Sequence, residues 1–145
     1  SVPGLDGEKM LKSYGNTIPI FETPKKLRKL IMGIRTDSAA MEDVKNADAC
    51  TVFQLYRLFA DESRQAALRQ RYEAGGMGYG EAKEQLYQAA METFGRAFER
   101  RAELEADPDQ LEEILRQGAR KARARAQQVV ARVRAACGLT AQPAL

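Results

Sequence analysis

Histidine is absent from this sequence, and its absence excludes histidine-ligated metal sites, Ser–His nucleophilic catalysis and histidine acid–base catalysis. Long apolar runs are also absent, because no stretch approaches the roughly 18 residues that a membrane-spanning helix needs. Residues 2–10 lack the apolar segment of a secretory signal peptide. The two cysteines, Cys50 and Cys137, form no CxxC pair, so we expect two reduced thiols in a cytoplasmic protein.

The chain of 145 residues is long enough for one domain with a hydrophobic core, and its net charge of +3 is only mildly basic. Such a small excess of positive charge matters for partner binding only where the cations cluster. The first residue, Ser1, leads directly into a loop. We therefore expect a piece cut from a longer protein.

Residues 1–21 are predicted to form a loop, and apolar residues recur at helical spacing in the rest of the chain. Thr23 and Pro24 predict a helix start, because a hydroxyl suits the N-cap and proline suits the first helical position. This helix should end near Gly33. Four further helices are predicted at roughly 47–60, 61–75, 80–106 and 107–138. The predicted fold of the chain after the loop is therefore all-α.

The last predicted helix separates an apolar stripe from a basic face. The stripe is predicted to be buried and consists of Leu111, Leu115, Gly118, Ala122, Ala126, Val129, Val133 and Cys137. The helix also carries seven cations with no acid between them: Arg116, Arg120, Lys121, Arg123, Arg125, Arg132 and Arg134. Such a face can bind the RNA backbone, can be merely solvated, or can lie on a membrane surface. The stripe is poor in Trp, Phe and Leu, which disfavours the membrane interpretation.

The segment Lys-Met-Leu-Lys-Ser, residues 9–13, places two lysines in a loop that is flanked by glycines. Two ammonium groups on such a loop can close over a polyphosphate, and they stabilise most where charge develops on a leaving pyrophosphate. Backbone N–H groups near Gly15 can add to such an anion site. The alternative is that both lysines are solvated charges, and the spacing alone does not decide between the two.

Two other patterns resemble functional motifs, namely a nucleotide-binding loop and a carboxylate metal site. The string GGMGYGEAK, residues 75–83, has closely spaced glycines but no preceding strand, so a helix end and a turn are the better interpretation. Tyr79 and Lys83 within it are candidates for an RNA-facing side, although a structural use is favoured. The acid-rich stretch 99–113 contains interleaved arginines, which favour surface ion pairs over a metal site.

Four longer strings resemble a known family: GLDGEKMLKSYGNTIPIFETPKKLRKLIMGIRTDS, GGMGYGEAK, RRAELEADPDQLEEIL and GARKARARAQQVVARVR. They cover about residues 1–139 and closely resemble bacterial tryptophanyl-tRNA synthetases, class I enzymes of the Rossmann type, from the signature loop onward. In that family the loop reads Lys-Met-Ser-Lys-Ser. The resemblance implies activation of tryptophan with ATP, with Mg²⁺ accompanying the ATP, and transfer of the amino acid to its tRNA.

The resemblance implies that the ATP phosphates meet the segment Lys9, Met10, Leu11, Lys12 and Ser13. Lys9 and Lys12 are the implied catalytic residues, and Met10 is implied to anchor the loop. Leu11 departs from the family because it replaces a serine and so removes a hydroxyl whose hydrogen bond is worth about 1 kcal/mol. The change indicates a tolerated replacement in a divergent enzyme, a copy with reduced activity, or an engineered substitution.

The resemblance also implies a division of the chain. Residues 1–36 would be the tail of a class I catalytic domain, residues 37–140 a helical anticodon-binding domain, and residues 141–145 a disordered tail. In the helical domain, Arg120, Arg123 and Arg125 are the candidate tRNA contacts. The chain itself is expected to hold no metal site.

The family's other ATP motif contains two histidines and lies upstream, together with the tryptophan pocket. This chain has neither, so we expect a C-terminal portion that makes no adenylate alone. Family members are homodimers with contacts largely in the other half, and this piece is therefore expected to be monomeric. The alternatives are a stand-alone RNA-binding module and a repurposed copy that has lost ligation.

Overall fold

The computed structural model describes residues 1–139, and over that range it consists of five α-helices joined by turns and loops. The helices are α1 (Pro24–Met32), α2 (Thr51–Tyr56), α3 (Glu62–Ala74), α4 (Tyr79–Ala106) and α5 (Pro108–Ala136). Residues 1–139 form no strand, and their one isolated extended pairing is an antiparallel bridge between Pro3 and Lys9. The all-α prediction is confirmed. The tail predicted to be disordered lies outside the described residues.

Helix ends fall where local chemistry predicts them. The Thr23 hydroxyl accepts a hydrogen bond from the Lys26 N–H at 3.4 Å, and Pro24 begins α1. In the same way Asp61 caps α3 and Asp107 caps α5. Gly75, with φ of 71°, follows the last residue of α3.

The second helix is shorter than predicted. The apolar spacing indicated a helix over roughly 47–60, whereas α2 covers only Thr51–Tyr56. Before it, the Asn46 side chain accepts hydrogen bonds from the N–H groups of Asp48 and Ala49, which holds a turn in place of a helix. Side-chain hydrogen bonds of this local kind compete with helix formation and are not visible in apolar periodicity.

The chain divides into two compact units, Ser1–Phe98 and the part that begins at Glu99. The first unit has a continuous core formed by buried residues of α1 to α4, among them Leu27, Phe53, Tyr72 and Leu86. The rings of Phe53 and Tyr72 meet edge to face with centroids 5.8 Å apart. Helix α1 belongs to the same core as α2, α3 and α4. The domain boundary predicted at residue 36 stays a prediction.

A buried lysine holds the loop between α1 and α2. Lys45 is 3% exposed, and its Nζ donates to the carbonyl oxygens of Ala40, Met41 and Asp43 at 2.7, 3.1 and 2.9 Å. The ammonium also lies 5.5 Å from the centroid of the Tyr79 ring. These partners replace the water that the charge loses on burial.

The second unit comprises the end of α4 and the whole of α5, and no residue of α5 is buried. The prediction of a buried stripe on α5 is therefore wrong for the described structure. Leu115 is 60% exposed and Val133 is 55% exposed. Apolar periodicity shows that a helix has an apolar face, but it does not supply the element that covers that face. No helix within residues 1–139 is long and apolar enough to cross a membrane.

Candidate functional site

The lysine-containing loop begins as a closed hairpin. The Met10 N–H donates to the Val2 carbonyl at 2.9 Å, and the Gly4 N–H donates to the Glu8 carbonyl at 2.7 Å. Gly7 has φ of 89°, a conformation that allows the chain to reverse between these two bonds. Lys9 therefore lies at the end of a hydrogen-bonded turn.

Directly after the hairpin, Lys12–Tyr14 form one turn of 3-10 helix. The turn ends at Gly15, which has φ of 66° and donates its N–H to the Lys12 carbonyl at 3.2 Å. Lys9, Lys12 and Ser13 are all exposed, whereas Leu11 is half-buried. The structure thus displays both ammonium groups to solvent on a backbone that is held by hydrogen bonds.

One side of the loop is apolar. Met10 is half-buried and lines a cavity of about 290 Å³ together with residues of α1 and α4, among them Leu27, Ile31 and Leu86. The Met10 side chain thus meets apolar neighbours, whereas Lys9 and Lys12 are exposed. The anchoring role of Met10 stays a prediction.

Asn16 lies at the centre of the loop and is 4% exposed. Its side-chain oxygen accepts from the Leu11 N–H at 2.9 Å. Its side-chain nitrogen donates to the Asp6 carboxylate at 2.8 Å and to the Lys9 carbonyl at 3.1 Å. The pKa of Asp6 is lowered, chiefly because its carboxylate accepts this bond from Asn16.

Helix α1 adds cations that the five-residue motif does not contain. An open pocket of about 510 Å³ is lined by Gly15 and Thr17 of the loop and by Lys26 and Lys29 of α1. The Lys26 ammonium lies 3.2 Å from the Glu22 carboxylate. The sequence signal for these residues is the cationic string Pro-Lys-Lys-Leu-Arg-Lys at the start of α1.

A second, polar pocket lies beside the start of α2. It has a volume of about 300 Å³ and is lined in part by Arg35, Asp37, Thr51 and Tyr79. The Tyr79 hydroxyl donates to the Asp37 carboxylate at 2.7 Å, and this bond lowers the pKa of Asp37. Burial, followed by the same bond, raises the pKa of Tyr79. Sequence reasoning missed this pocket, although three of its residues, Arg35, Thr36 and Asp37, lie close together soon after α1.

The glycine-rich string before α4 is a helix end and a turn. Gly75 and Gly76 both have positive φ, of 71° and 74°. A Cβ on Gly75 would lie 2.5 Å from the Glu42 carbonyl oxygen, so the close approach requires glycine. Lys83 donates to the Met32 carbonyl at 3.0 Å, and burial lowers the pKa of this lysine. Tyr79 and Lys83 therefore have structural partners.

The three candidate RNA-binding arginines of α5 are exposed. Arg120 lies 3.0 Å from the Glu113 carboxylate, which offsets part of its charge. Arg123 and Arg125 lie further along the same helix, beyond its acidic first turns. In the acid-rich stretch Arg101 pairs with Glu105 at 2.7 Å, as the ion-pair interpretation predicted.

Within residues 1–139 no three cysteine or carboxylate side chains are grouped so that they could hold a metal ion. The functional candidates are therefore the lysine loop, the polar pocket and the basic face of α5. These three places offer cations, hydrogen-bond donors and one oriented carboxylate, which suit phosphate and nucleobase ligands.

The comparison with protein families matches residues 1–95 to "tRNA synthetases class I (W and Y)". The match covers more than half of the chain. The chain therefore belongs to the class I tRNA synthetases of the tryptophan and tyrosine group.

Its individual relatives are on the tryptophan side of that group. The chain is 49% identical over 138 residues to the tryptophan–tRNA ligase of Rhodopirellula baltica, which covers 95% of this chain and 43% of the relative. The ligase of Fusobacterium nucleatum is 42% identical over 138 residues, covering 95% of this chain and 42% of the relative. The chain thus spans less than half of the length of these relatives.

The chain is also similar to a solved structure on the tryptophan side of the group. The tryptophanyl-tRNA synthetase of Campylobacter jejuni, complexed with ADP and tryptophan, has a TM-score of 0.86 and 46% sequence identity to this chain. The superposition covers 95% of this chain and 43% of that one. A second structure of the Campylobacter enzyme gives a TM-score of 0.84.

Proposed function

We propose that this chain is the C-terminal part of a tryptophan–tRNA ligase. In the proposed reaction the carboxylate of tryptophan attacks the α-phosphorus of ATP, and the bond to pyrophosphate breaks as the tryptophanyl-adenylate forms. A terminal ribose hydroxyl of the tRNA then attacks the adenylate carbonyl and releases AMP. The two relatives described above, at 49% and 42% identity, support this assignment because both are tryptophan–tRNA ligases.

The observation that carries the proposal is the exposure of Lys9, at the end of the hairpin, and of Lys12, in the 3-10 turn that follows, on a backbone held by hydrogen bonds. Negative charge develops on the leaving pyrophosphate, and preorganised ammonium groups at that position stabilise the transition state more than the ground state. Lys9 and Lys12 supply this charge, and Ser13 supplies a hydroxyl at the same turn. Mg²⁺ arrives with ATP as part of the substrate.

Met10 and Leu11 support the loop from its half-buried side. A leucine at position 11 offers no hydrogen bond to a phosphate, so it removes about 1 kcal/mol of stabilisation relative to a serine that makes one. That loss slows activation by about fivefold and does not abolish it. We therefore propose that the enzyme tolerates Leu11.

Residues 37–140 form the proposed tRNA-binding helical domain. Arg120, Arg123 and Arg125 are exposed on α5, where guanidinium groups can contact phosphates or stack on unpaired bases. The anticodon loop is the part of a tRNA that offers such unpaired bases. The longer protein is proposed to be a cytoplasmic homodimer, and this chain alone is proposed to be a monomer.

The polar pocket is a second proposed RNA contact. Its Asp37 carboxylate accepts from the Tyr79 hydroxyl at 2.7 Å and is thereby held in one orientation. A fixed carboxylate accepts hydrogen bonds from an amino group on a base edge, and Arg35 at the same pocket supplies donors. These are the groups needed to bind one unstacked base.

A chimera tests the proposal directly. This chain replaces the matching 138 residues of the Rhodopirellula baltica ligase, and tryptophan-dependent ATP–pyrophosphate exchange is measured. We expect exchange in the chimera, a loss of about 100-fold with Lys12→Ala, and a gain of no more than about 5-fold with Leu11→Ser. The unaltered Rhodopirellula ligase is the positive control. A folded chimera without ATP–pyrophosphate exchange activity would refute the proposed ligase function.

The alternative is a stand-alone or repurposed RNA-binding module without ligase activity, and Leu11 is the observation that favours a repurposed copy. Under this alternative the chimera lacks exchange even with Leu11→Ser, while the chain alone still retards a tRNA in a gel-shift assay. Recovery of exchange by Leu11→Ser alone would instead identify position 11 as the lesion in a former ligase.

A further inference from the structure

The side chain of Asn16 reaches two residues of the lysine loop through their backbones. Its amide oxygen accepts from the Leu11 N–H at 2.9 Å, and its amide nitrogen donates to the Lys9 carbonyl at 3.1 Å. Asn16 is one of only two buried polar or charged residues in the described part of the chain, the other being Lys45. The Asn16 amide therefore connects the Lys9 carbonyl to the Leu11 N–H inside the loop.

The orientation of this amide is determined by Asp6. The Asp6 carboxylate accepts from the Asn16 amide nitrogen at 2.8 Å, and the same carboxylate oxygen accepts from the Glu8 N–H at 3.0 Å. A carboxylate can only accept, so the nitrogen of the amide must face it. The amide oxygen is thereby directed to the Leu11 N–H.

Gly4 leaves the space that the Asn16 side chain occupies. A Cβ on Gly4 would lie 2.5 Å from the Asn16 Cγ and 2.6 Å from the Asn16 backbone oxygen. The Leu5 N–H also donates to that backbone oxygen at 2.9 Å. The hairpin of residues 2–10 therefore closes around Asn16, and any side chain at position 4 would displace it.

We infer that Asn16, supported by Asp6 and Gly4, is the positioning residue that sets the relative placement of Lys9 and Lys12 for a polyphosphate ligand. This inference rests on the proposed phosphate-binding function of the loop. It also gives a reason for the proposed tolerance of Leu11: the backbone at position 11 is held by the Asn16 amide, so the loop keeps its shape without a hydroxyl on residue 11.

The test compares two asparagine deletions in the 145-residue chain. Asn16→Ala removes the bridge, whereas Asn46→Ala removes an asparagine that accepts backbone hydrogen bonds in the turn before α2, away from the loop. Affinity for inorganic pyrophosphate is measured by NMR titration, and hydrogen exchange is measured at the Leu11 amide. We expect Asn16→Ala to weaken pyrophosphate binding about 5- to 10-fold and to expose the Leu11 amide, with less than a 2-fold change in Asn46→Ala.

A swapped pair separates positioning from simple stability. Asn16→Asp alone places two carboxylates together and should weaken binding as Asn16→Ala does. The double variant Asp6→Asn with Asn16→Asp restores one amide–carboxylate bond and keeps an acceptor for the Leu11 N–H. Because a carboxylate at position 16 cannot donate to the Lys9 carbonyl, we expect the double variant to protect the Leu11 amide and to recover less than half of the lost affinity, on a logarithmic scale. Gly4→Ala should reproduce the loss without altering Asn16 itself.

The outcomes distinguish this inference from the proposed function. If the unaltered chain does not bind pyrophosphate while its Leu11 amide is protected, the phosphate role of the loop is refuted. If the unaltered chain binds pyrophosphate and Asn16→Ala binds it equally well, positioning by Asn16 is refuted and the proposed function stands. An unprotected Leu11 amide in the unaltered chain also refutes the bridge. Equal losses in Asn16→Ala and Asn46→Ala would reduce the effect to general stability and refute the inference.

Discussion

The two units of this chain are both helical, yet they use their apolar residues differently. In Ser1–Phe98 the helices α1 to α4 surround a core in which Phe53, Leu68 and Tyr72 are almost fully buried. In the part that begins at Glu99, α5 has an apolar stripe of similar regularity, and every residue of that helix is exposed. Helical periodicity is therefore shared by the two units, and burial is not.

This difference has an energetic consequence. Burial of apolar area is the main source of folding free energy, at roughly 25 cal/mol per Å². The first unit obtains that stabilisation from its own residues. Helix α5 relies on local terms, namely its Asp107 cap and i,i+4 ion pairs such as the one between Arg116 and Glu112.

The largest expected effect comes from a matched pair of leucines. Leu68→Ala removes a side chain that is 1% exposed and should lower the free energy of unfolding by about 2–5 kcal/mol. Leu115→Ala removes one that is 60% exposed and should change it by less than about 0.5 kcal/mol. Urea denaturation measures both. A cost of more than 2 kcal/mol for Leu115→Ala would show that the α5 stripe is covered in solution.

A smaller effect is expected from a matched pair of lysines. Lys45→Met leaves the carbonyl groups of Ala40, Met41 and Asp43 without their shared donor and should cost about 2–3 kcal/mol. Lys121→Met on the exposed face of α5 should lie within about 0.5 kcal/mol of the unaltered chain. The measurement is the same urea titration. Equal costs for the two lysines would contradict the burial of Lys45.

The exposed arginines of α5 should matter for RNA binding and not for folding. Arg123→Ala combined with Arg125→Ala should weaken tRNA binding about 10-fold at low salt and reduce the salt-dependence slope by about 2. The melting temperature should stay unchanged, because both side chains are exposed. The control is Arg100→Ala, which also removes an exposed arginine and breaks its ion pair with Glu103. Equal tRNA affinity in the double variant and the unaltered chain would remove α5 from the RNA interface.

The smallest expected effect is the acid sensitivity of the loop. Asn16 lowers the pKa of Asp6 in the folded chain, so the bond between them stabilises the loop fully above the unfolded pKa of about 3.9. That contribution is lost as pH falls through the lower folded pKa. Hydrogen exchange at Leu11 should therefore accelerate below about pH 4 beyond the intrinsic pH dependence of amide exchange. Asp6→Asn should remove this transition, and a transition that persists in that variant would contradict the assignment.

Prediction from the sequence succeeded where a few neighbouring residues determine the outcome. Thr23 with Pro24, Asp61, and Asp107 with Pro108 each place a helix start, because capping depends on hydrogen bonds within one turn. The extent of α2 was overestimated, because the side chain of Asn46 holds a turn that apolar spacing does not reveal. Local rules therefore predict a helix start well where a capping residue can be recognised in the sequence, and less well where it cannot, as at α2.

The candidate site was predictable only in part. The lysines of residues 9–13 stand out through their spacing and through the family resemblance. Asn16 did not, because its role depends on Asp6 and Gly4 being brought around it when the hairpin closes. The polar pocket with Asp37 and Tyr79 was missed for the same reason, since those two residues are separated by 42 positions and meet only through packing.

The amino-acid sequence by itself determined the all-α class, the starts of α1, α3 and α5 and the identity of the two loop lysines, because these follow from local propensity and residue type. Tertiary structure decided which apolar stripe is buried, which asparagine holds the lysine loop, and where a carboxylate and a tyrosine meet. Burial and long-range hydrogen bonds require two distant segments to share one position in space, and the spacing of residues along a single segment does not contain that information.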